Sequence, residues 1–236
     1  ENADANRLAW LRALQAQLRL REAYGVDDHV SAESRQTVNL FQALLSLNLM
    51  SVFFQQDFLA AFADRLETSG DWVTALQRLT MDGLRDGHQS RLPLTWSDRD
   101  AKVTNITGWT VTASEPKGNP RMASAILDFW TYDMVAMAER LQRNEPGLQP
   151  HLFERPVLKF GSTLIQLPWI VGLQNNSSAA INNLRRLGAR RGQARDEAQR
   201  IEAGLARLFE TRGFKTLLNW KPLRDVDDPG EVDLIA

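Results

Sequence analysis

Arg200–Trp220, "RIEAGLARLFETRGFKTLLNW", is the stretch from which the fold of the C-terminal part is predicted. Ile201, Leu205 and Leu208 recur at spacings of four and three residues, and this period predicts an amphipathic helix. Gly213 is the residue type that ends helices, and the residues after it predict a strand. The stretch therefore predicts a helix, a turn and a strand in succession.

The end of the chain, Gly230–Ala236 or "GEVDLIA", predicts a second strand after a turn. Val232 and Leu234 would share one face of this strand, while Asp233 would point to the other face. An acid among strand hydrophobics needs a partner. On the preceding helix, Glu202 flanks the apolar stripe. Two carboxylates placed in this way would bind Mg²⁺ and stabilise charge on a phosphodiester oxygen.

Together the two stretches resemble the first half of the nuclease core of PD-(D/E)xK phosphodiesterases, the restriction-endonuclease-like superfamily, and especially its small bacterial endonuclease-like members. In that pattern a helix bears an inward glutamate and ends at a Gly-[Phe/Tyr] turn, a strand follows, and "GE[IV]DLIA" begins the second strand. Glu202, Gly213-Phe214 and Asp233 fall at these positions. The resemblance implies that Glu202 and Asp233 are catalytic, and that Asp233 is a ligand of Mg²⁺ in DNA hydrolysis.

The family pattern continues with a third strand bearing Glu-x-Lys, which completes the metal site and positions the water. No such strand follows Asp233, and the proline that the pattern places directly before this aspartate is instead Pro229. The chain also opens at Glu1 without an initiator methionine and ends inside an apolar strand. We therefore expect a fragment of a longer protein, and we expect this chain to be inactive by itself.

Charge is distributed unevenly along the C-terminal quarter. Residues 181–224 hold eleven basic and four acidic residues, whereas residues 225–236 hold five acids and no base. A basic surface that leads into an acidic cluster is typical of a site that binds phosphates and a metal ion. A run of arginines predicts contacts with nucleic-acid phosphates: Arg185, Arg186, Arg190, Arg191 and Arg195. The alternative is that these arginines form a solvated helical face.

Residues 1–180 are predicted to form a mainly helical region with a small β element, which makes the chain mainly α with small β elements (α+β). Residues 181–236 would then hold the basic helical segment and the incomplete α/β nuclease core. The first helix has an apolar stripe formed by Leu8, Leu11, Leu14 and Leu18. Gly25 is the residue expected to end this helix. The N-terminal region would recognise DNA or a protein partner, or mediate homo-oligomerisation.

Residue types that cap helices or form turns predict further boundaries of helices and strands. Ser31 or Ser34 is the expected cap of the second helix, and Pro120 the expected first residue of a helix that runs to about Arg143. Residues 86–118 predict one or two strands because they are rich in Thr and Val. Gly161-Ser162 predicts a hairpin turn between two strands.

Composition excludes several classes of protein. There is no cysteine, so disulfides and thiolate metal sites are ruled out and a reducing, cytoplasmic compartment is favoured. The three histidines match no zinc spacing, and the net charge of −1 favours no particular partner. The segment from Gln36 to Gln56 carries no charge, but its polar stripe indicates a buried core helix rather than a membrane helix.

Two functional hypotheses follow. The first is a fragment of a Mg²⁺-dependent endonuclease that acts on DNA, with a restriction or phage-defence role by analogy with the superfamily. The alternative is a non-catalytic helical binding or scaffold protein whose C-terminus is a degenerate match to the nuclease pattern. A third reading, a membrane-attached protein built on the uncharged segment, is the weakest of the three.

Overall fold

The structure is a computed structural model that describes residues 3–32, 35–55, 58–86, 95–99, 120–145, 151–173, 175–190, 194–220 and 232–236. In these residues the chain is mainly helical with small sheets, as predicted. The helices are α1 (Ala3–Tyr24), α2 (Leu40–Gln55), α3 (Phe58–Ser69), α4 (Trp72–Asp86), α5 (Pro120–Trp130), α6 (Met134–Gln142), α7 (Pro168–Leu173), α8 (Asn176–Arg190) and α9 (Ala194–Glu210). The strands are β1 (His29–Ser31), β2 (Thr37–Asn39), β3 (Trp96–Arg99), β4 (Thr131–Asp133), β5 (Val157–Phe160), β6 (Thr163–Gln166), β7 (Leu217–Trp220) and β8 (Val232–Ile235).

The helix α1 contacts the core through small side chains. Ala9, Ala13, Ala16 and Leu20 are its buried residues, and Ala43 of α2 belongs to the same core. Alanines spaced three and four residues apart lie on one side of a helix and let a neighbouring helix approach closely. Gly25 ends α1 with φ of +59°, as the sequence predicts.

The leucine stripe of α1 does not mark its buried side. Leu8, Leu11 and Leu18 are 48%, 47% and 39% exposed, and Leu14 is half-buried. The period of the leucines predicts the helix correctly, but the alanine stripe beside them occupies the core instead. Small side chains on this side allow close packing, and Leu20 is the one long side chain among the buried residues of α1.

The uncharged segment forms α2, which is buried as predicted. Leu40, Leu44 and Leu47 are almost inaccessible, and Asn48 is 4% exposed. Asn39 caps this helix, because its Oδ1 accepts a hydrogen bond from the Gln42 amide at 3.0 Å.

The predicted serine cap of α2 is wrong. Ser31 belongs to β1, which pairs with β2 in a short antiparallel hairpin before α2 begins, and Ser34 lies outside the described residues. Among the residues that the structure describes, no helix is both long enough and apolar enough to cross a bilayer.

A four-stranded sheet has the order β3-β6-β5-β4. β5 and β6 form the antiparallel hairpin that Gly161 predicts, with φ of +60° at that glycine. β3 pairs antiparallel with β6, and β4 pairs parallel with β5. β3 precedes residues 103–118, the stretch rich in Thr and Val in which strands are expected, and that stretch lies outside the described part of the chain.

The helix that begins at Pro120 is shorter than predicted. α5 ends at Trp130, three residues form β4, and α6 then begins. Asp133 restarts the helix, because its carboxylate accepts hydrogen bonds from the amides of Val135 and Ala136. The interruption follows from pairing of β4 with β5, a contact between segments far apart in sequence, which local propensity does not contain.

Trp130 lies at the centre of the core. It is fully buried, its indole N–H donates to the Ala43 carbonyl at 3.0 Å, and its ring meets Phe129 edge to face at 4.7 Å. Ala180 of α8 belongs to the same core. The division between residues 180 and 181, drawn from charge, thus falls within a continuous helix.

Candidate active site

The helix α9 stops at the predicted glycine-phenylalanine turn. The Phe214 amide donates to the Phe209 carbonyl at 3.2 Å, and the Gly213 amide donates to the Glu210 carbonyl at 2.9 Å. Gly213 has φ of +87°, and the rings of Phe209 and Phe214 meet edge to face at 5.7 Å. These two bonds, the left-handed glycine and the apolar contact make a Schellman motif, which turns the chain back along the helix.

Two sides of α9 have different partners. Gly204 faces α1, since a Cβ placed on this glycine would lie 3.0 Å from the Glu22 carbonyl oxygen. Because successive helical residues rotate by about 100°, Glu202 points about 160° away from Gly204. Ala206, which is buried, and Phe209 lie on the same side as Glu202, one and two turns further on. Glu202 is half-buried, and Phe209, on the same side of the helix, contacts Phe214 after the turn.

The strands β7 and β8 form an antiparallel hairpin, and α9 contacts both of them. The paired residues are Leu217 with Ile235, Leu218 with Leu234 and Trp220 with Val232. Asn219, between the paired Leu218 and Trp220, has a left-handed φ of +53°. Helix, turn, strand and antiparallel strand thus occur in the expected order. Residues 221–231 and the side chain of Asp233 lie outside the described part.

No match is found among models of protein families, curated proteins or solved structures. What α9 and the hairpin can do chemically is therefore inferred from the residues of this chain alone. In the described part of the chain, no three acidic or histidine side chains are grouped so that they could hold a metal ion. Glu202 and Asp233 therefore stay predicted ligands, since the side chain of Asp233 lies outside the described residues.

The arginine run on α8 divides into residues with different surroundings. Arg186 forms an ion pair with Glu154, with Nη2 and Oε2 2.7 Å apart, so its charge is already engaged. Arg185 is exposed. Arg191 and the side chains of Arg190 and Arg195 lie outside the described residues, so their predicted phosphate contacts stay predictions.

Behind this run, a buried polar cluster fixes α8 against the sheet. Arg155 is 3% exposed, and its Nε donates to Asn183 Oδ1 at 2.7 Å. Asn183 in turn donates to the Glu154 carbonyl at 3.1 Å, and the Arg155 guanidinium lies over the Tyr132 ring. Since Asn183 is fully buried, the part of α8 around this residue is held by structural contacts.

One group of polar residues was missed in the sequence. Arg12, Gln15 and Arg19 of α1 line a cavity together with Asn176 and Ser177 from the start of α8. Their spacing along α1 could have indicated a shared face, because residues three, four and seven apart are neighbours on a helix. The segment that closes the cavity lies far along the chain, which local patterns do not reveal.

Proposed function

We propose that α9 and the β7–β8 hairpin are the first half of a PD-(D/E)xK-type nuclease core that hydrolyses DNA with Mg²⁺. The observation that supports this proposal is the succession of helix, Schellman turn and antiparallel hairpin, with Glu202 on α9 and Asp233 on β8. The core helix of that pattern also bears a glutamate, on its inner face. A restriction or phage-defence role would fit such an activity.

The donor atoms suit the cation. Mg²⁺ takes carboxylate oxygens, and Glu202 on α9 and Asp233 on β8 are two residues that carry such groups. When bound, the cation would lower the pKa of a water and stabilise charge on the phosphodiester. Glu202, half-buried on α9, would hold its carboxylate in place, and Asp233 would do so from the strand. A Glu-x-Lys strand after Asp233 would supply the remaining acid and the lysine that positions the water.

The test is cleavage of supercoiled plasmid by the protein from its complete reading frame, with Mg²⁺ or with a chelator. We expect Mg²⁺-dependent nicking that Asp233→Asn lowers by roughly a hundredfold or more, because the ligand loses its charge. Glu202→Gln should lower the rate by about tenfold or more, through loss of the second carboxylate.

Glu210→Gln is the matched control, because this glutamate lies on α9 two turns after Glu202, on another side of the helix. Its Oε1 accepts a hydrogen bond from Thr216, which the glutamine oxygen can keep. Its cleavage rate should stay within about twofold of wild type. Cleavage that survives the chelator, or that Asp233→Asn leaves unchanged, would contradict the proposal.

A second candidate function, a non-catalytic binding or scaffold protein, is favoured by exposed apolar side chains. The hairpin leaves Leu217, Trp220 and Ile235 at 51%, 42% and 41% exposure, and three leucines of α1 are also exposed: Leu8, Leu11 and Leu18. Exposed apolar patches mark interaction sites. If this reading holds, an assembly formed through α1 should become monomeric when Leu8 and Leu11 are changed to serine, measured by light scattering after size exclusion.

The control for that measurement is Leu59→Ser on α3, since Leu59 is 77% exposed and lies on a different helix. This substitution should leave the mass of the assembly unchanged, because a lone exposed leucine contributes little to association. A wild-type protein that is monomeric at all concentrations, and that captures DNA, would set the scaffold reading aside.

A further inference from the structure

A cavity of about 310 Å³ lies between α1 and the start of α8. Arg12, Gln15 and Arg19 form one wall, because they are one and two turns apart on the same side of α1. Asn176 and Ser177 form the opposite wall. This volume is at the lower end of the range for small-ligand sites.

The described residues of the lining are rich in hydrogen-bond donors and include no carboxylate. Arg12 and Arg19 each bring a guanidinium, which is always charged, and Gln15 and Ser177 add neutral polar groups. Within the residues that the structure describes, neither guanidinium is paired with an acid. Two unneutralised guanidinium groups on one wall create a positive potential that favours an anion.

A residue of α2 holds the wall formed by α8 in place. Asn48 of α2 is 4% exposed, donates to the Leu44 carbonyl, and accepts a hydrogen bond from Asn176 Nδ2 at 3.0 Å. Asn175 caps α8, because its Oδ1 accepts from the amides of Ser177 and Ser178 at 3.1 Å. The lining amide is therefore oriented by a buried partner, and the positive end of the α8 dipole adds to the field of the arginines.

We propose that this cavity binds a phosphate group. Planar guanidinium groups match the geometry of phosphate oxygens, and the Ser177 hydroxyl and the Gln15 amide add neutral donors. The concave shape fits a terminal phosphate better than the middle of a long polynucleotide. This inference does not rest on the proposed nuclease function and holds for either reading of the C-terminal part.

The test is calorimetric titration with inorganic phosphate in chloride buffer. Arg12→Gln and Arg19→Gln should each weaken binding by roughly tenfold, through loss of a charge-assisted hydrogen bond. Gln15→Glu, which keeps the shape of the side chain, should weaken binding at least as much, because it places a negative charge in the lining.

Arg7→Gln is the matched control, as Arg7 is an exposed arginine of α1 that points about 140° away from Arg12. Its affinity for phosphate should equal that of wild type. Equal affinity in wild type and in Arg12→Gln, Arg19→Gln and Gln15→Glu would overturn the proposal, and so would the absence of binding by wild type at millimolar phosphate.

Two further titrations identify the source of the phosphate. Adenosine monophosphate carries a terminal phosphate, whereas a short duplex without terminal phosphates offers only phosphodiesters. We expect Arg12→Gln to weaken binding of the monophosphate and to leave duplex affinity unchanged. A parallel loss of duplex affinity would instead assign the site to the nucleic-acid backbone, while a loss of neither would overturn the proposal.

Discussion

Short polar side chains begin several of the helices in this chain. Asn39, Asp133 and Asn175 each accept hydrogen bonds from amides in the first turn that follows them. Asp71 does the same for α4, because its Oδ2 accepts from the Thr74 amide at 2.8 Å and from the Thr74 hydroxyl at 2.7 Å. These bonds satisfy amides that lack partners within the helix.

The cap at Asp71 gives a pH-dependent prediction. Hydrogen bonds from the Thr74 hydroxyl, and then from the Thr74 amide, hold the pKa of Asp71 below its ordinary value. A lowered pKa in the folded state means that the stabilisation is complete above the unfolded-state pKa of about 4, and is lost as pH falls through the folded-state value. Asp71→Ala should therefore lower Tm at neutral pH, with a smaller difference in acid.

Thermal unfolding followed by circular dichroism at neutral and at acidic pH measures this difference. Glu67→Ala is the control, since Glu67 is an exposed residue of α3 close to the same turn. Its Tm difference from wild type should be small and should show no comparable dependence on pH. A deficit in Asp71→Ala that is the same at both pH values would show that the charge of this cap does not contribute.

At the scale of elements, contact between α1 and α9 depends on a glycine. Gly204 allows the backbones to approach, and Gly25, at the end of α1, lies against Arg200 in the same way. A Cβ on Gly25 would lie 3.1 Å from the Cβ of Arg200. Close approach of this kind at two places fixes α9, and with it the candidate site, against the N-terminal helix.

Gly204→Ala tests that contact by the sign of its effect. In a free helix, this substitution would stabilise by about 1 kcal/mol, because alanine is the better helix former. Here the new methyl group would meet the Glu22 carbonyl, a backbone atom that moves only with its helix. We expect destabilisation of roughly 1 kcal/mol or more, measured by urea unfolding. A stabilised variant would mean that the two helices separate without cost.

Local sequence predicts the elements well where a residue type fixes the backbone. Gly213 and Phe214 give the Schellman turn, Gly161 gives a hairpin, and Pro120 starts α5. Local sequence does not predict structure that depends on contacts between segments far apart in the chain. β4 interrupts a helical pattern because β5 offers it a neighbouring strand. The buried side of α1 is likewise chosen by what packs on it, so the leucines mark the helix but not its interface.

At the scale of the whole molecule, one candidate site could be predicted from the sequence and the other could not. Glu202 and Asp233 belong to one short stretch of chain, so their order and spacing could be compared with a pattern. The phosphate cavity joins α1 to the start of α8, and no local signal links Arg12 to Asn176. The ion pair of Arg186 with Glu154 also depends on tertiary packing, which a run of arginines does not reveal.

The contact between Glu22 and Gly204 joins two helices that are synthesised at different times. α1 leaves the ribosome before α9, and the helices α2 to α8 are made between them. Contacts of such long sequence separation form late and slow folding. On the nascent chain, the side of α1 that contacts α9 therefore stays uncovered until α9 has been synthesised. Only then does α1 reach its final packing.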